Sequence, residues 1–214
     1  MKKFASITYV AALACSVCSA DENKFNLEGT ILHYNSEADN VEKKRIDYSD
    51  IKTLRSYLNS HPDITSMHLN SNGGLTEAGI ELGRLLSDFK IETVVTEECS
   101  SACISIFLAG ETRTLKNGGL LGFHRPEWTV DGMQNYYSKN NEAEGWNSPF
   151  AFASWVQKDT LFVAAELLEG YIRAGIDFDF AKRSLQIPFD QMWYPSRDTL
   201  LQAGVITNSN LTSF

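Results

Sequence analysis

The sequence predicts an α/β domain built around a mostly parallel sheet. Short strand-like runs alternate with longer segments whose apolar residues recur at helical spacing, in the order β-α-β-α-β. Each strand-like run ends in small or turn-forming residues: Ser71-Asn72-Gly73-Gly74 after one, Cys99-Ser100-Ser101 after the next. A third run, Leu120-Leu121-Gly122-Phe123-His124, stops at Arg125-Pro126.

Taken in order, residues 25–35 alternate as a strand or hairpin, and the polar stretch 36–46 reads as a loop. A helix is expected from Asp47 to about Ser60, with Ile51, Leu54 and Leu58 on one face. Residues 64–71 form a strand and 75–90 a helix with Leu75, Ala78, Leu82, Leu85, Leu86 and Phe89 inward; Ile80 falls off that stripe. Strand 91–98 leads into a helix from about Ser101 to Ala109, and 112–126 holds further strand material. Residues 127–148, polar with scattered Trp128, Tyr136, Tyr137 and Trp146, read as a long covering or docking loop. Helices follow over 149–174 and 178–186. The last unit is a helix capped by Ser196, stopped at Gly204 and followed by a short strand.

The first residues have the layout of a secretory signal: Lys2 and Lys3, an apolar stretch from Phe4 to about Val17, small residues ending at Ala20, then Asp21 and Glu22. The apolar run is short for a bilayer span of ~20 residues. The reading is a signal peptide over 1–20 and one domain over 21–214, exported to a periplasmic or extracellular compartment. Lipidation at Cys15 is the alternative to cleavage after Ala20. The 214-residue chain carries a formal charge of −8, and losing Lys2 and Lys3 takes it to −10. With no basic block, this surface disfavours nucleic acid and anionic membranes as partners. No further run is long enough for a membrane span in the mature chain.

Removing the leader leaves only Cys99 and Cys103, which an i,i+4 spacing near a helix start brings close enough to pair in an oxidising compartment. No two of His33, His61, His68 and His124 have metal-ligand spacing, so neither metal nor cofactor is expected. In a parallel sheet, ligands bind beyond the carboxyl ends of strands. Three such ends carry chemistry here: the glycines of 71–74, Ser101 with Ala102, and His124. A serine needs a base to act as a nucleophile, and a tetrahedral oxyanion needs backbone donors. Gly73 or Gly74 on one corner and Ala102 on the other can supply them.

Ser-Asn-Gly-Gly, a small-residue serine helix ending Leu108-Ala109-Gly110, and Gly122-Phe123-His124-Arg125-Pro126 together resemble the ClpP/crotonase superfamily, and within it the secreted or periplasmic ClpP-like serine peptidases of bacteria. The resemblance covers 64–126 well and 149–207 in outline. It implies a β-α-β superhelical spiral, Ser101 as nucleophile, His124 as general base, and Gly74 and Ala102 as oxyanion donors. Asn72 stands where that family has proline. A carboxylate should orient His124; Asp177, Asp179 and Asp190 are the candidates, with Asp190 favoured and the other two reading as a helix-capping pair. Cys99 and Cys103 then flank the nucleophile and, if bonded, stiffen its turn; a cysteine nucleophile is the rival. The expected activity is hydrolysis of a peptide or protein substrate, with homo-oligomerisation through the 127–174 region. The alternatives are a non-catalytic binding module on the same fold and, more remotely, acyl-CoA chemistry.

Overall fold

Strand β1 (Phe25–Glu28) turns at Gly29, whose φ is +58°, into antiparallel β2 (Ile31–Asn35). From there the chain winds in parallel. Helix α1 (Tyr48–Ser60) leads to β3 (Ser66–Ser71), α2 (Thr76–Asp88) to β4 (Glu92–Ser100), and α3 (Cys103–Leu108) to β5 (Arg113–Leu115) and β6 (Leu120–Gly122). The sheet order is β1-β2-β3-β4, and β4 is flanked in succession by β5 and β6: residues 93–95 pair with β5 and 98–100 with β6. The computed structural model describes residues 24–207, so the leader reading and Cys15 lie outside the described residues.

Side-chain alternation places Leu32, Met67 and Thr93 in one register row and Tyr34, Leu69 and Val95 in another, all buried on the same face. Leu54 and Leu58 of α1, Leu82 and Leu86 of α2 and Ile106 and Phe107 of α3 complete this core. Phe89, expected inward, lies at the end of α2 and is exposed. Helix α2 approaches α3 at backbone distance: a Cβ at Gly79 would sit 2.4 Å from the Ala102 carbonyl oxygen, and one at Gly83 would sit 2.5 Å from that of Ser105. At the edge of the core, the fully buried Lys24 ammonium contacts both Asp50 carboxylate oxygens at 2.9 Å and the Arg45 carbonyl at 2.7 Å. Tyr34 donates to the same carboxylate at 2.8 Å.

Two expectations change in the second half. Residues Val130–Asn140, within the stretch that reads as a loop, form a helix, α4, capped by the Thr129 side chain. None of its residues is buried; it rests on an aromatic cluster in which Tyr136 stacks with Trp155 and lies among Trp128, Trp146 and Phe152. Helix α5 (Pro149–Arg173) is started by the Ser148 cap and Pro149, and α6 (Phe178–Gln186) by the Asp177 side chain. After α7 (Arg197–Gln202) the chain reaches Thr207 without the expected strand; the Thr207 N–H donates to the Arg113 carbonyl.

Candidate active site

Three strand ends converge. The Ser101 N–H donates to the Gly122 carbonyl at 3.0 Å, which continues the β4–β6 ladder by one residue and places His124 just beyond the serine. On the other flank of β4, the 71–74 corner meets the same turn. A Cβ at Gly73 would lie 2.7 Å from Ser101 Cβ and 3.1 Å from the Ala102 nitrogen. Only glycine permits that approach.

Ser101 has φ +57°, the left-handed region, which costs an L-residue roughly 1–2 kcal/mol. The turn is held on both sides. Cys99 and Cys103 are bonded across it, with Cα atoms 5.3 Å apart and both residues fully buried. The cysteines are thus spent on each other, which removes the cysteine-nucleophile rival.

Among the described residues neither the Ala102 N–H nor the Gly74 N–H has an acceptor, whereas the Gly73 N–H donates to Ser71 Oγ at 3.2 Å. Of the two glycines expected as donors, Gly74 is therefore the free one and Gly73 is committed. The Gly73 carbonyl accepts from the Ile46 N–H at 2.8 Å, and Leu75 N–H donates to the Ile46 carbonyl at 3.0 Å, so the corner is pinned on both sides of Gly74.

His124 is held by its main-chain neighbours. Phe123 exchanges hydrogen bonds with Trp193 at 2.9 and 3.0 Å, and the Arg125 N–H donates to the Ile187 carbonyl at 2.9 Å. Between these clamps the chain presents the Phe189 carbonyl 3.0 Å from His124 Nδ1, with the Phe189 ring against the imidazole. A carbonyl only accepts, so in the neutral ring Nδ1 carries the proton and Nε2 keeps its lone pair. Nε2 is buried and has no hydrogen-bond partner among the described residues. Burial holds the imidazole below the ordinary value of 6.5, with the Phe189 carbonyl pulling in the opposite direction.

The expected carboxylate is not in this arrangement. Asp190 is exposed, and no hydrogen bond joins it to His124; the carbonyl of the preceding residue occupies that role. Asp177 caps α6 through the Phe180 N–H, and Asp179 lies in the first turn of the same helix.

Ser101, Ala102 and His124 open onto a cavity of about 370 Å³ between α2, α3 and α5. Ile80, which falls off the α2 stripe, lines it together with Ile104 and Leu167; farther along, Arg84 of α2 pairs with Glu166 of α5. Among the described residues no group of three or more His, Cys, Asp or Glu side chains could hold a metal ion, and no helix is long and apolar enough to cross a membrane. An imidazole with a free Nε2, a hydroxyl on a constrained turn and two unpaired N–H groups form a set suited to acyl transfer.

The architecture is a ClpP-like fold of the α/β class. Solved structures of ClpP1 from Listeria monocytogenes and of a point mutant of that protein match with TM-scores of 0.53 and 0.52. Each is 18% identical, and each match covers 76% of this chain and 84% of the other. No protein-family model and no curated protein sequence matches the chain.

Proposed function

We propose that the chain is a serine hydrolase of the peptidase type, exported to an oxidising compartment. The observation that carries this is the convergence, at one cavity, of Ser101 on its left-handed turn, the free Ala102 N–H and His124 with Nδ1 tied and Nε2 unpaired, with the free Gly74 N–H on the glycine corner packed against the same turn. Ser101 Oγ adds to the substrate carbonyl carbon as its proton passes to His124 Nε2. The resulting oxyanion accepts from Gly74 and Ala102. His124 returns the proton to the leaving nitrogen as the C–N bond breaks, and water then cleaves the acyl-serine by the same route. No hydrogen bond joins Ser101 Oγ to His124 Nε2 without substrate; such contacts commonly tighten only once substrate is bound.

The disulfide supports the choice of compartment, since such bonds persist where thiols are not kept reduced. The exposed Phe150, Leu161, Phe162 and Ile172 of α5 support self-association on that face. A non-catalytic binding module is the second reading, favoured because among the described residues a main-chain carbonyl and no carboxylate holds His124. Treating the folded protein with a fluorophosphonate probe separates the two, with sedimentation run alongside to define the assembly. Labelling mapped to Ser101 and abolished by Ser101→Ala and by His124→Ala is the expected result. A folded, assembled wild type that takes no label refutes the hydrolase and leaves the binding module.

A further inference from the structure

We propose that Glu37 is a positioning residue for the oxyanion corner, acting through a buried hydroxyl relay. This rests on reading Gly74 as an oxyanion donor.

Glu37 lies in the polar segment between β2 and α1, opposite the 71–74 corner. Its carboxylate accepts from the Asn72 backbone N–H at 3.1 Å and from Asn72 Nδ2 at 3.0 Å. It also receives the Ser36 hydroxyl: Ser36 Oγ is 2.7 Å from Glu37 Oε1 and 2.7 Å from Ser71 Oγ. Ser36 has one proton to give. The carboxylate can only accept, and its charge makes it the stronger acceptor, so the proton goes there. The Ser36–Ser71 contact is then made by the proton of Ser71. That leaves a Ser71 lone pair for the Gly73 N–H, 3.2 Å away. The relay runs from Gly73 N–H through Ser71 and Ser36 to Glu37, and Ser36 and Ser71 are fully buried.

The relay uses up the corner's donors in a selective way. Asn72 N–H goes to Glu37, Gly73 N–H goes to Ser71, and the Gly73 carbonyl is taken by Ile46. Of these three successive amides, the Gly74 N–H is left over. The relay fixes the Asn72–Gly73 peptide plane, and the Ile46 N–H holds the next one through the Gly73 carbonyl, so the Gly74 donor needs little reorganisation when an oxyanion forms beside it. Glycine at both positions gives the corner its shape but also its freedom, with φ values of +102° and +153°; the relay limits that freedom at Gly73 and the Ile46 contacts limit it at Gly74. Glu37 does not line the cavity, so its action is indirect.

The test is the two-parameter kinetics of fluorophosphonate labelling, kinact and KI, for wild type, Glu37→Ala and Glu37→Gln. Melting curves and the rate of His124 modification by diethyl pyrocarbonate are measured alongside. Losing one oxyanion donor typically costs about 10²–10³ in rate, so a misaimed one should cost roughly tenfold or more in kinact. KI and His124 reactivity should stay within about twofold. Glutamine, which keeps one acceptor for three donors, should fall between alanine and wild type. Unchanged kinact in folded Glu37→Ala, with wild type labelled, overturns this inference alone. So does a loss shared equally by His124 reactivity and not relieved by glutamine, which marks a general structural role. An unlabelled wild type overturns the hydrolase reading and this inference with it. Should Glu37→Ala not fold, Ser36→Ala cuts the same relay, and unchanged kinact there refutes the proposal as well.

Discussion

Replacing Asp190 by Asn tests what orients His124. In a site where a carboxylate holds the histidine, the Asp→Asn change costs about 10⁴ in rate, about 5.4 kcal/mol at ~1.36 kcal/mol per tenfold. Here Nδ1 donates to the Phe189 carbonyl, and Asp190 is exposed and unbonded to the ring. A surface substitution of that kind stays within about 0.5 kcal/mol, roughly a factor of two. The two expectations differ by more than three orders of magnitude. The assay is the rate of Ser101 labelling across pH for wild type and Asp190→Asn. The pH axis adds an independent arm. Burial lowers the affinity of His124 for a proton, and among the described residues the Phe189 carbonyl and no carboxylate opposes it, so the acid limb of the profile should fall below the ordinary 6.5. Between 6.5 and that lower value the unfolded chain binds more protons than the folded one, so stability also declines as pH falls through this window. A loss beyond tenfold in folded Asp190→Asn, or an acid limb above 6.5, would refute the carbonyl-held histidine.

Two further outcomes follow from the packing. Removing the Cys99–Cys103 bond, which closes a loop of sequence separation 4, should cost about 2 kcal/mol by loop-closure entropy, read as a fall of roughly 4–8 °C in Tm by calorimetry. In Cys99→Ala/Cys103→Ala the labelling rate at Ser101 should fall as well; a lower Tm with an unchanged rate would make the bond a stabiliser with no part in presenting the serine. Lys24→Met leaves the buried Asp50 carboxylate without its counter-charge and should destabilise by about 3–5 kcal/mol in urea titration, with part of the loss recovered by adding Asp50→Asn. A double variant no better than the single would show that the loss comes from packing and not from charge.

Much of the fold is legible in the sequence because its information is local. Leu54, Leu58, Leu82 and Leu86 repeat at helical spacing, and Gly73-Gly74, Ser101 and His124 stand where strands must end. The missed features lack such a signature. Helix α4 buries none of its residues, so no apolar stripe marks it; the aromatic rings it rests on, Trp128, Trp146, Phe152 and Trp155, lie outside the helix. The partner of His124 is a main-chain carbonyl, which every residue has, so no residue type could announce Phe189. Ser36 and Glu37 read as ordinary loop polarity, because what matters in them is contact with residues 35 positions away. Ile80 falls off the α2 stripe for the reason that makes it useful: it points past the core into the cavity.

The Lys24 amine sets how close to the sheet the chain can be cut back. Its head is enclosed with Asp50 and Tyr34, and β1 begins at the next residue. A cut before Lys24 leaves the anchor intact, whereas a cut after it removes the cation facing that carboxylate at the moment the domain closes. A chain begun at Phe25 should therefore lose stability on the scale expected for Lys24→Met, about 3–5 kcal/mol.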